Sequence, residues 1–169
     1  MRTTFKSERG TTLLETMVAL SILFVVMGGL MTLSAMSSKT TENNGHLAAR
    51  TTEDAQDKME QLLTLAYTDL QSDTTVFPAA SIGGTGLAVG GSVNPAAPVN
   101  GYVDWLAQDG TLLGGGTAPP VNWFYERVWQ VTQFSPNVIQ VQVLVRTRWA
   151  FNGATAPSST VVALKSSQF

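Results

Sequence analysis

The apolar positions of this chain change their spacing three times. From Met17 to Met36 there are 20 residues with no charge and no proline. As a helix rising about 1.5 Å per residue, this run spans about 30 Å, the thickness of a bilayer core. Beyond it the apolar period thins to one stripe. Ala48, Thr52, Ala55, Met59, Leu62, Ala66 and Leu70 recur at steps of three and four, the mark of a one-sided helix. Arg50, Glu53, Asp54, Asp57, Lys58 and Glu60 fall on the other face. No proline lies between Leu13 and Gln71. The pattern therefore predicts one helix, apolar all round over 11–36 and amphipathic over 37–71. Asn43-Asn44-Gly45 is its weak point and a place for a kink. Gly28-Gly29 is a second, read either as close packing by small residues or as a point where the helix loosens.

The last third alternates with period two. Asn122 to Phe134 is rich in aromatics and valine, and Ser135-Pro136-Asn137 reads as a turn. From Val138 to Phe151, Ile139, Val141, Val143, Val145, Trp149 and Phe151 share one face, opposite Gln140, Gln142, Arg146 and Arg148. A turn over 152–158 and a strand over Thr160 to Lys165 complete a sheet of about three antiparallel strands within 122–169. Such a sheet needs a cover on its apolar face, and the helix stripe is the only candidate long enough. The expected fold class is α+β, a long N-terminal helix laid on a small C-terminal sheet. Between helix and sheet, 72–121 collects ten of the 15 glycines and five of the seven prolines, and reads as a long irregular loop. Val99 to Leu106 offers a short strand there and Asp109-Gly110 a turn. Gly83-Gly84-Thr85-Gly86 and Gly114-Gly115-Gly116 lack the following Gly-Lys-Ser/Thr of a phosphate-binding loop.

Composition narrows the chemistry. The net charge is −2 over 169 residues, and there is no cysteine. No basic block of the nucleic-acid-binding kind is present, so no nucleic acid is predicted as a direct partner. A disulfide framework, a thiolate metal site and a cysteine nucleophile are excluded. His46 is the sole histidine; no serine and carboxylate can be placed beside it, so it reads as a surface or interface residue. Glu53, Asp54, Asp57 and Glu60 read as a solvated helix face before a cation site. Asp104 and Asp109 could help hold calcium, though their spacing is no ion-binding motif. Trp123, Tyr125 and Trp129 alternate on one strand face as packing residues. No catalytic set, cofactor or metal site is expected, and the chain is not expected to be an enzyme.

One charge stands out. Glu15 opens the apolar run, where a carboxylate without a partner costs roughly 2–3 kcal/mol or more to bury. Ahead of it, Arg2, Lys6 and Arg9 outnumber Glu8, and the positive-inside tendency leaves this end in the cytoplasm. A secretory signal peptide cut near Leu33-Ser34-Ala35 is one reading, but the apolar run is long for it. A plain anchor leaves Glu15 unexplained. The third reading is a resemblance. Gly10-Thr11-Thr12-Leu13-Leu14-Glu15 resembles the cleavage site of type IV prepilins and the related type II secretion pseudopilins: a basic leader ending in glycine, a Thr-aliphatic-aliphatic-Glu sequence and a long apolar helix. Thr11 departs, since the family usually places a large apolar residue there. Toward the other end, Arg127-Val128-Trp129-Gln130-Val131, a tight turn, and Val141-Gln142-Val143 through Arg148-Trp149 resemble the C-terminal hairpin of PilV-type minor pilins. The I-class minor pseudopilins share that layout. The middle carries no resemblance.

The resemblance implies a leader peptide over 1–10, cleavage by prepilin peptidase between Gly10 and Thr11, and N-methylation of Thr11. Without the leader, 7 Lys+Arg face 11 Asp+Glu. It further implies that Glu15 pairs with the Thr11 amine of a neighbouring subunit, and that Gly28 and Gly29 serve helix packing or flexibility. The implied partners are other pilin or pseudopilin subunits, an inner-membrane assembly platform, and membrane lipid before assembly. The implied location is the bacterial inner membrane, with the C-terminal part periplasmic, and afterwards a periplasmic or surface filament. Many members carry a helix-breaking proline and a C-terminal disulfide; this chain has neither.

Overall fold

The computed structural model describes residues 12–150 and 155–167. Two compact units divide the chain, residues 1–41 and residues 42–169. One helix, α1 (Leu13–Thr64), contributes to both. Six strands follow: β1 (Gly90–Gly91), β2 (Val103–Leu106), β3 (Leu112–Gly115), β4 (Tyr125–Ser135), β5 (Val138–Thr147) and β6 (Ser158–Ser166).

In the first unit α1 stands without a covering element. Every residue from Thr12 to Lys39 is exposed, among them Leu13, Phe24, Val25, Met31 and Leu33. This part is long and apolar enough to cross a membrane. Its small polar side chains turn inward: Ser21 donates to Met17 O and Thr32 to Gly28 O, each at 2.8 Å. Each of these hydroxyls is thereby satisfied within its own helix. The helix runs through Gly28-Gly29 and through Asn43-Asn44-Gly45 without interruption. Its backbone bonds and flanking helix formers outweigh the roughly 1 kcal/mol that each glycine costs.

In the second unit an antiparallel sheet runs β3-β2-β4-β5-β6, with β1 pairing β4 beyond the end of β2. The strand count exceeds the expected three because the 72–121 segment is not all loop. β2 and β3 form a hairpin around the Asp109-Gly110 turn, with Gly110 at positive φ. Val103-Asp104-Trp105-Leu106 is buried at every residue, so it shows no alternation to betray it. β4 and β5 pair from Tyr125↔Thr147 to Ser135↔Val138 across the Pro136-Asn137 turn. β5 alternates in burial along its length, as the valine pattern predicts. It stops at Thr147, however. Trp149 is 60% exposed, and Phe151 lies outside the described residues, as do 152–154 of the expected turn.

The register places Asp104, Arg127, Val145 and Ser159 in one row across the sheet, and Trp129, Val143 and Val161 in the next. This face meets Ala55, Met59 and Leu62 of α1. A side chain of this kind contributes roughly 1.5–3 kcal/mol when fully buried. The opposite face carries a smaller cluster of Val103, Trp105 and Val128, joined by Trp123 and Leu144. Trp123 therefore does not share a face with Tyr125 and Trp129. It precedes β4 and packs edge-on against Trp105 at 4.9 Å.

The buried helix face is rotated from the expected stripe. Ala48 and Thr52 are exposed. Thr51, Asp54 and Lys58 are buried beside Ala55, Met59 and Leu62, although Asp54 and Lys58 were expected on the solvated face. The helix also ends at Thr64 and not at 71, so Ala66 and Leu70 lie beyond it and Leu70 is exposed. Beyond the helix, Asp69 turns the chain. Its carboxylate accepts from Gln71 N, Ser72 N and Ser72 Oγ at 3.1, 2.9 and 2.6 Å, an arrangement that competes with continued helix.

Candidate functional site

The first candidate site is the start of α1. Gly10 and Thr11, the expected cleavage and methylation positions, lie outside the described residues. Thr12 caps the helix: its carbonyl accepts Glu15 N at 2.9 Å and its Oγ1 accepts the same N–H at 3.3 Å. Thr12 and Glu15 thus occupy the N-cap and third positions of a Thr-x-x-Glu capping box. The Thr-x-x-Glu spacing that encodes this cap lies in the sequence itself. Glu15 is the acidic residue of the first helical turn, where the helix dipole favours negative charge by roughly 0.3–1 kcal/mol. Glu15 is exposed and makes no ion pair among the described residues. Among the described residues, then, a carboxylate without an ion-pair partner stands at the head of an exposed apolar surface. Gly28 and Gly29 lie along that surface, and nothing lies within 4 Å of where a Cβ would project from either. Both remain open for close approach by another helix.

The second site is a buried charge cluster that sequence reasoning missed. Asp104 on β2 is fully buried. It accepts from Lys58 Nζ at 2.8 Å and from Arg127 Nε and Nη2 at 2.6 and 2.9 Å. Lys58 Nζ also donates to Thr74 O at 2.6 Å and lies 4.1 Å from the Trp129 ring centroid. The cluster ties four elements together: the helix, the segment after it, and strands β2 and β4. Burial alone would raise the Asp104 carboxyl, but Lys58 and Arg127 outweigh it and hold the group below the ordinary carboxylate value. Burial lowers the Lys58 ammonium against the pull of Asp104. Asp54 is different. Its Oδ2 is buried without a hydrogen-bond partner among the described residues. Burial raises its carboxyl, and the neighbouring Arg127 and Arg50 only moderate the rise.

The remaining candidates resolve as follows. Asp104 is spent on two cations and is no calcium ligand. Asp109 Oδ1 accepts Thr111 N at 2.9 Å within its turn. Among the described residues no group of three His, Cys, Asp or Glu side chains could hold a metal ion. His46 is exposed, 3.9 Å from Glu42 one turn earlier. Glu53 pairs with Arg50 at 3.1 Å, and Asp57 and Glu60 face solvent. Of the four acidic helix residues, only Asp54 departs from the solvated reading.

Residues 5–31 match the family described as the prokaryotic N-terminal methylation motif. The match takes in Gly10, Thr11, Glu15, Gly28 and Gly29. It supports a type IV pilin-like precursor with a class III signal peptide, and with the apolar helix it is consistent with membrane anchoring. No curated protein and no solved structure matches the chain.

Proposed function

We propose that this chain is a minor pilin or minor pseudopilin, a non-enzymatic structural subunit of a type IV pilus or a related filament. The observation that carries the reading is the methylation motif over residues 5–31, running into an exposed apolar helix with Glu15 in its first turn. The leader, with Arg2, Lys6 and Arg9, stays in the cytoplasm while the sheet-bearing part crosses to the periplasm. Prepilin peptidase cuts after Gly10 and methylates the new Thr11 amine. Glu15 of an incoming subunit meets the positive amine of a subunit already assembled. In low dielectric that attraction is strong, and pairing relieves two charges that would each be costly alone. The apolar surfaces from Leu13 to Met36 then leave lipid and pack against their neighbours, helped by an inner-membrane assembly platform. Gly28 and Gly29 give two backbones room to approach. The C-terminal hairpin's likeness to PilV-type minor pilins and I-class pseudopilins favours a minor subunit, and retention of Glu15 favours one with another subunit above it.

N-terminal sequencing and intact mass of the native protein test this directly. The expected start is a methylated Thr11. A start near Met36 would instead support the rival reading, a secreted binding domain released by an ordinary signal peptidase. Gly10→Trp should retain the leader, seen as a mass about ten residues too high.

A further inference from the structure

We propose that β6 is a strap that sets where α1 ends, with Lys165 as the stop. The amino-acid sequence supplies no glycine or proline stop near Thr64; its local turn signal is Asp69, five residues further on. Leu65-Ala66-Tyr67-Thr68-Asp69-Leu70 contains neither glycine nor proline, and Leu65 stands where a terminating glycine would be usual. The last turn of the helix holds no basic residue. A helix end leaves its final carbonyls without partners, so something must take them.

Lys165 does. Its Nζ donates to Leu63 O and to Leu65 O, both at 2.5 Å. In a helix continued to Gln71, Leu63 O and Leu65 O would instead accept the N–H groups of Tyr67 and Asp69. The ammonium therefore occupies the acceptors that further helix requires. It also brings positive charge to the negative end of the helix dipole. The supply comes from a distance of 100 residues along the chain, on the strand that follows every other described element.

The same strand grips the helix at its other contact. Ser159 Oγ lies 2.9 Å from Thr51 Oγ1 and 2.8 Å from Thr52 Oγ1. The two grips are in step. The six steps of strand from Ser159 to Lys165 cover about 20 Å at roughly 3.3 Å per residue. The thirteen steps of helix from Thr51 to Thr64 cover about 20 Å at roughly 1.5 Å per residue. Helix and strand run in the same direction over this length. An open cavity of about 700 Å³, bordered by Leu63, Tyr67, Leu164 and Lys165, lies at the stop, so the chain beyond Thr64 has room to rearrange.

The stop selects between two uses of residues 65–71. In the observed one, Asp69 turns the chain through its bonds to Gln71 and Ser72, and its carbonyl accepts Leu87 N at 2.7 Å. Gly86 sits so close that a Cβ there would lie 2.6 Å from Asp69 O. A helix running to Gln71 would dismantle all of these contacts. Docking of the final strand therefore fixes the path of the segment that leads to β1.

The test uses the full-length chain in detergent micelles, observed by NMR. In Lys165→Met, the Cα shifts of residues 65–70 should move toward helical values, and the Leu87 amide should exchange at least tenfold faster. Lys165→Arg should keep wild-type shifts. Ser159→Ala, which removes the other grip, should leave the helix end at Thr64. In the wild-type protein the Lys165 ammonium protons should exchange slowly enough to be seen, a readout that does not depend on any variant folding. Unchanged shifts and exchange within twofold in Lys165→Met would overturn the proposal. So would a Ser159→Ala helix end that moves as far, or a wild-type Lys165 ammonium exchanging as fast as a free one.

Discussion

Asp104→Ala should cost more than any other single truncation in the charge cluster. The aspartate is fully buried between Lys58 and Arg127, whose side chains are 0% and 4% exposed. Its removal leaves two buried cations without a counter-charge. Breaking a buried pair in this way costs about 3–5 kcal/mol, because the surviving charge remains desolvated. Here two charges survive, so the upper end is expected. Against a typical total of roughly 5–15 kcal/mol, that is a third or more of the stability. Lys58→Met is the informative contrast. It keeps the apolar stem against Trp129 and leaves Asp104 with its two-pronged Arg127 contact. It gives up the ring contact and leaves Thr74 O without its donor, a loss of about 1–3 kcal/mol. Denaturant unfolding of the full chain in micelles, followed by tryptophan fluorescence, measures both. The reasoning fails if Asp104→Ala costs less than about 1 kcal/mol, or less than Lys58→Met. The pH dependence has a definite sign. Asp104 is held below its ordinary value in the folded state, so its contribution is complete above the ordinary carboxylate range of about 3.9 and is lost as pH falls below it.

Three further outcomes follow from particular contacts. Asp54 has the opposite sign: burial raises its folded value, so ionising it costs stability as pH rises past the ordinary range. Asp54→Asn should therefore be at least as stable as wild type at neutral pH, with the difference vanishing at acid pH; a large loss at neutral pH would show that Asp54 is paired. Glu15→Gln keeps the Thr12 cap, whose acceptors bind a main-chain N–H, so insertion and cleavage should persist while filament incorporation falls. Normal incorporation of that variant, measured by the fraction recovered in sheared filaments, would remove Glu15 from the assembly step. Gly91→Ala places a Cβ at positive φ, 2.3 Å from Trp129 O and 2.7 Å from the Tyr102 ring. It should cost more than about 1 kcal/mol, read as a lower denaturation midpoint; an unshifted midpoint would mean that the β1–β4 ladder gives way freely.

The long elements were legible because their signals are local and periodic. The 20-residue apolar run, the valine alternation of β5 and the Ser135-Pro136-Asn137 turn each declare themselves within a few residues. β2 did not, because burial on both faces erased its alternation. β1 is two glycines, invisible without the β4 edge that it joins. At the site, the Gly10 to Glu15 segment was legible through its resemblance to prepilin cleavage sites, and the methylation-motif match covers it. The Thr12 cap is likewise local, encoded by the Thr-x-x-Glu spacing.

Helicity from Leu13 onward, the membrane-length apolar face and the position of Glu15 were determined by the sequence itself, since propensity and period act between near neighbours. Tertiary structure decided which charges of the helix are buried, and its contacts at Lys165 join the local Asp69 turn where the helix ends. Lys58 looks like a solvated residue until Asp104, 46 residues away, arrives on the facing strand. Thr64 looks like mid-helix until Lys165 takes the carbonyls that the next turn would need. In both cases the local preference is worth about 1 kcal/mol or less per residue. A buried charge left without its partner costs several times that, so the distant partner decides.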